Sequence, residues 1–210
     1  MKKFFYTIFA NIYYAIKNLL PTPLIITAAV TIIMICIIVF NAKKNGENAK
    51  QALKRNAPRV CSSSLFTLYL SLILNATVLK RLSEPKYDPF SDILGNWIIT
   101  EQQYTCNTDP LWNTVMFLPF CTLLYLFLKY ALKKTPGINR LLLISGISGF
   151  LLSAVIETLQ IILKAGTFQL SDLFYNTLGA VLSVPLYLLL AKAARAAHNA
   201  YLKKHSAKNK

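Results

Sequence analysis

Five long apolar stretches, at about 23–40, 62–79, 111–131, 141–163 and 171–191, limit what this chain can fold into. Each is close to or above the ~20 residues needed to cross roughly 30 Å of hydrocarbon at about 1.5 Å per residue. A helix on the surface of a water-soluble protein alternates polar and apolar faces, and these segments largely do not. Of the 210 residues, 55% are hydrophobic and 15% charged, with a mean hydropathy of +0.45. That is too little polar surface for a domain surrounded by water. The fold class that follows is all-α: a polytopic transmembrane helical bundle of about five spans.

Residues 1–22 form a separate unit ahead of this core. Two lysines precede the aromatic run Phe4, Phe5, Tyr6, Phe9, Tyr13 and Tyr14, while Asn11 and Lys17 interrupt the apolar pattern. Aromatic rings mixed with lysine suit the headgroup zone, so an interfacial helix is expected there, with a sixth span as the alternative. Pro21 and Pro23 then turn the chain into the first span. The organisation that results is an interfacial segment (1–22), a membrane domain (23–191) and a basic, disordered tail (192–210).

Orientation follows from the distribution of Lys and Arg. Loop 41–61 carries six, loop 132–140 three and the tail six, against seven on the opposite side. The positive-inside rule therefore puts those two loops and the C-terminus in the cytoplasm. The net charge of +15 has the same origin. Its bases lie between and beyond the spans rather than on one folded patch, which excludes nucleic acid as a partner and points to anionic lipid headgroups. Cys36, Cys61, Cys106 and Cys121 show no CxxC or Cys/His spacing, and His198 and His205 sit in the tail. No metal or other cofactor is expected.

Polar residues inside the spans carry the functional signal. Glu157 and Gln160 are three residues apart near the end of the fourth span and share a helix face. Asp172, Asn176, Gly179 and Ser183 form a polar and small-residue stripe on the fifth. The short connection from Lys164 to Leu170 makes these spans an antiparallel hairpin with both polar sets at its outer end. A charged side chain facing lipid costs about 2.5–3.5 kcal/mol or more, so Glu157 should face protein, water or a partner. One reading is a staple, in which Glu157 and Gln160 bond Asn176 or Lys164 pairs with a carboxylate. The other is a ligand site opening outward. Asn113 and Pro119 add a third element, since Pro119 should kink the third span and leave a carbonyl for another group to satisfy.

The segment Glu157-Thr-Leu-Gln160, followed by Gly166-Thr-Phe-Gln-Leu-Ser-Asp172-Leu-Phe-Tyr-Asn176-Thr-Leu-Gly179, resembles the signature of the VanZ-like membrane family. The upstream Asn113-Thr-Val-Met-Phe-Leu-Pro119-Phe120 is similar to that family's N-x-x-x-F-x-P-F-G, with Cys121 in place of the glycine. Gln169 stands where the family commonly has Asp, and Ser183 where it has a later glycine. The resemblance implies a bacterial cytoplasmic-membrane protein of a family associated with resistance to teicoplanin-type glycopeptides. Its expected role is a non-catalytic envelope protein whose outer-leaflet polar site meets membrane lipids, a lipoglycopeptide or a lipid-linked cell-wall precursor. The alternative is an enzyme acting on a lipid or lipid-linked precursor, with Glu157 and Asp172 as an acid–base pair.

Overall fold

The computed structural model describes residues 6–10, 13, 20–83, 88–101 and 106–208. Most of the N-terminal segment expected to lie at the interface falls outside the described residues. Five helices long and apolar enough to cross a membrane follow it. Helix α1 is Pro21–Lys44, its prolines in the first turn where the missing donors are not required. Helix α2 is Ala49–Leu74; it continues through a π-turn at Asn75–Leu79 and a 3₁₀ turn at Lys80–Ser83. Helices α3 (Asp109–Phe117) and α4 (Phe120–Tyr130) make the third crossing. Helix α5, Ile138–Leu163, and helix α6, Leu170–Lys208, form the hairpin. Between α2 and α3, residues 88–99 run through turns into a two-residue ladder pairing Thr100 with Asn107 and Glu101 with Cys106.

Two expectations about the basic segments need correction. Much of loop 41–61 is helical, because α1 runs on to Lys44 and α2 begins at Ala49. The tail, expected to be disordered, continues α6 to Lys208. Both segments are rich in Ala, Lys and Arg, strong helix formers that extend a helix already nucleated in the bilayer. Hydropathy marks the edge of the hydrocarbon, not the end of the helix. The tight turn between α1 and α2 is closed by Asn48, whose side chain accepts the Lys50 N–H at 2.9 Å. Arg55 also donates to both Glu47 oxygens, at 2.5 and 2.8 Å.

The core lies between α2 and the later helices, built from Tyr69, Ile73, Val78, Phe117, Phe120, Leu124, Ile156 and Ala180. Small residues set its closest crossings. A Cβ on Gly149 would collide with the Ala180 Cβ, and one on Gly179 with the Thr114 carbonyl oxygen. Without a hydrophobic drive between helices in lipid, such close backbone approach supplies the packing energy. Helix α1 packs against α2, with Thr31 Oγ1 and Ser64 Oγ 2.7 Å apart. One face of α1, through Thr27, Thr31, Met34 and Ile38, is half-buried, while Ile25, Ile32, Ile33 and Ile37 on its other faces are exposed.

Candidate functional site

The connection between α5 and α6 begins at Lys164, which ends α5 in the left-handed region at φ 51°. The chain then reverses within a few residues, returning α6 antiparallel to α5. The Glu157 carboxylate lies beneath this turn. Its Oε2 accepts the backbone N–H of Gln169, immediately before α6, at 2.9 Å. A helix start has orphan N–H groups and a partial positive charge, and the carboxylate meets both. The next donors are satisfied from outside the hairpin. Leu170 N–H donates to the Ile93 carbonyl at 2.9 Å and Ser171 N–H to that of Leu94 at 3.3 Å, while Phe168 N–H donates to that of Pro89 at 2.8 Å. Residues 88–99 therefore lie over the hairpin turn.

Side chains reinforce that cover. Asp92 accepts from Gln169 Nε2 at 2.6 Å and from the Gly95 N–H at 3.2 Å. Tyr175 donates its hydroxyl to the Trp97 carbonyl at 2.6 Å. Gly95 has φ +71°, and a Cβ there would strike Ser171 Oγ and come within 2.9 Å of the Gln169 Cβ. Glycine is required on both counts: a left-handed backbone, and a close approach over α6.

Each residue expected at the site has a definite place. Asn113 donates to Asp172 Oδ1 at 2.6 Å, tying α3 to α6. Gln160 donates through Nε2 to the Thr77 carbonyl at 3.0 Å, in the π-turn of α2. Asn176 donates to Ser153 Oγ at 2.9 Å, one helical turn from Glu157 along α5. Gly179 allows α6 to lie against α3. The hairpin staple thus exists with other partners than the sequence suggested: Glu157 and Gln160 bond Gln169 and Thr77, and Asn176 takes Ser153. The reason is register. Ser153 is the α5 residue level with Asn176, while Glu157 is level with the start of α6. Lys164 is exposed and serves as the helix cap.

Pro119 belongs to a different layer. It separates α3 from α4, and side chains take up backbone groups around the break. Tyr69 donates its hydroxyl to the Met116 carbonyl at 2.9 Å. The Cys121 N–H donates to Ser183 Oγ at 3.1 Å, and the Ser183 hydroxyl donates in turn to the Ala180 carbonyl at 2.5 Å. Ser145 donates to the same carbonyl at 2.7 Å. The carbonyl that the missing Pro119 N–H leaves, that of Val115, accepts the Leu118 N–H at 3.1 Å instead, and Tyr69 serves the next carbonyl along, that of Met116. Inside a bilayer every such group needs a partner from the protein.

The sequence profile of VanZ/LLP1 matches residues 27–191, most of the chain. The chain belongs to the VanZ/LLP1 family. Searches of curated proteins and of solved structures find no match.

Within this VanZ/LLP1 chain, Arg81 is the site residue that sequence reasoning passed over. It sits in the 3₁₀ turn beyond α2, and its charge acts on both Glu157 and Asp172. A Cβ on Gly166 would lie 2.9 Å from Arg81 Nη1 and 3.4 Å from Gln160 Oε1, so the guanidinium borders the same turn. The available signal was a basic residue just past a span on the side with fewer bases. Thr77 and Asp92 gave no such signal, because one contributes a backbone carbonyl and the other lies in a loop. The assembled site holds Glu157, Gln160, Asp172, Asn176, Asn113 and Arg81 at the membrane face where the hairpin turns. Among the described residues there is no group of three His, Cys, Asp or Glu side chains that could hold a metal ion.

Proposed function

We propose that this protein is a non-catalytic envelope protein of the bacterial cytoplasmic membrane that alters susceptibility to lipoglycopeptides by binding an amphiphile's headgroup at the Glu157 site. The observation that supports this reading most directly is the pair Glu157 Oε1 and Gln160 Oε1. Both belong to fully buried side chains, and neither oxygen has a hydrogen-bond partner among the described residues. Buried polar atoms are normally satisfied, and unsatisfied ones at a membrane face suit a ligand better than a purely structural staple. The positive-inside rule puts that face outside, with loops 41–61 and 132–140 and the C-terminus in the cytoplasm. Lipid-linked cell-wall precursors and lipid-anchored glycopeptides both present headgroups at that depth.

The test is susceptibility. Cells expressing Glu157→Gln or Asp172→Asn at wild-type level should lose the change in lipoglycopeptide susceptibility that the wild-type chain confers. Unchanged susceptibility in both variants would remove the site from the function. The second reading, an enzyme acting on a lipid or lipid-linked precursor, is favoured by two carboxylates sharing the field of Arg81. Turnover of a defined lipid by the purified protein, lost in Glu157→Gln, would replace the first reading with the second.

A further inference from the structure

Two buried side-chain oxygens on α5 have no hydrogen-bond partner among the described residues. Glu157 is 1% exposed; its Oε2 takes the Gln169 N–H and its Oε1 takes nothing among the described residues. Gln160 is 2% exposed, and its partner Thr77 O is a carbonyl, which requires the amide NH2 on that side. Its free atom is therefore an acceptor, Oε1. The two residues are three apart on α5, so both acceptors lie on one face.

Charge points the same way. Asp172 and Arg81 act on Glu157, and Arg81 and Asp109 act on Asp172. Glu157 and Asp172 both lie in the field of one guanidinium, that of Arg81. A neutral hydroxyl would satisfy the acceptor atoms but add no positive charge beside the two carboxylates that share Arg81. A compact cation with several donors answers both needs, and a protonated primary amine has three N–H groups around a point charge. At Gly166 a Cβ would press on Arg81 Nη1 at 2.9 Å and on the Gln160 amide carbon at 3.3 Å, so the turn admits no side chain beside these two groups.

We infer that the headgroup received at this site carries a protonated primary amine, bound by Glu157 Oε1 and Gln160 Oε1. This rests on the proposed headgroup-binding reading and adds the chemistry of the group bound. Two sources share that chemistry, an aminophospholipid and a lipoglycopeptide bearing a free amine.

Native mass spectrometry of the purified full-length protein can separate them. Phosphatidylethanolamine is offered against its N-acetylated form, and an amine-bearing lipoglycopeptide against its N-acetylated form. The wild-type chain should retain the free-amine member of at least one pair roughly tenfold better, the scale of a buried charge-assisted hydrogen bond. Preference in the first pair identifies the lipid as the source, and preference in the second identifies the glycopeptide. Glu157→Gln should abolish the preference, while Glu47→Gln, at the opposite membrane face, should keep it. Competition by free ethylamine on the wild-type chain gives the same readout without any variant. Equal retention of blocked and free forms, still dependent on Gln160, would overturn the amine and leave the headgroup site standing. Retention of neither pair above the level of Gln160→Leu would overturn both.

Discussion

Replacing Gly179 by alanine adds one methyl group where α6 crosses α3. That methyl would overlap the Thr114 carbonyl oxygen and lie 2.9 Å from the Phe117 Cβ and 3.1 Å from the Thr114 carbonyl carbon. Two of these atoms are backbone, so no rotamer change relieves the contact and the helices must part. Overpacking of this kind costs about 1–3 kcal/mol. For a chain of this size roughly 2–4 °C of Tm accompanies each kcal/mol, so a fall of about 2–12 °C is expected. Parting the helices would also stretch the Asn113–Asp172 hydrogen bond, now 2.6 Å. The assay is thermal unfolding of the detergent-solubilised protein followed by size-exclusion chromatography. Gly146→Ala is the control, because a Cβ there meets only the Val181 Cγ2 at 3.4 Å; it should be neutral or slightly stabilising, since alanine is the better helix former. Gly179→Ala melting with the wild type would refute the claim that backbone approach fixes this crossing.

Three further outcomes follow from the same contacts. Tyr69→Phe removes the donor to the Met116 carbonyl at the Pro119 break; thermal unfolding should show a loss of about 1–3 kcal/mol, the cost of an unsatisfied buried acceptor. Gly95→Ala forces a Cβ against Ser171 and Gln169 at a positive φ; faster hydrogen exchange should appear at the amides of residues 168, 170 and 171, which the 88–99 segment now protects, with little change elsewhere. Single cysteines in a background lacking native cysteine should react with an impermeant maleimide from outside at Leu94, which is 68% exposed, and only after permeabilisation at Lys134. The reverse pattern would invert the proposed orientation.

Glu157 and Gln160 show how far local pattern reaches. Their spacing put them on one face of a helix, and their depth marked them as groups in need of partners. The partners themselves were not legible. Thr77 contributes a carbonyl that any residue would possess, made available by a π-turn. Gln169 contributes a backbone N–H. Arg81 is separated from Glu157 by 76 positions along the chain, and its relevance depends on where α2 ends relative to the hairpin turn.

The sequence by itself determined five of the crossings, the hairpin and the kink at Pro119. Each follows from a local cause: apolar length against bilayer thickness, a short connection, and a missing N–H. The tertiary structure decided which acceptors stay unsatisfied, which side chains repair the kink, and that residues 88–99 cover the site. These depend on axial register and on crossings closed to the distance of a missing Cβ at Gly149 and Gly179. A shift of one residue along α6 would exchange the partners that Asp172, Asn176 and Ser183 now have, and nothing in the spacing of a single helix specifies that register.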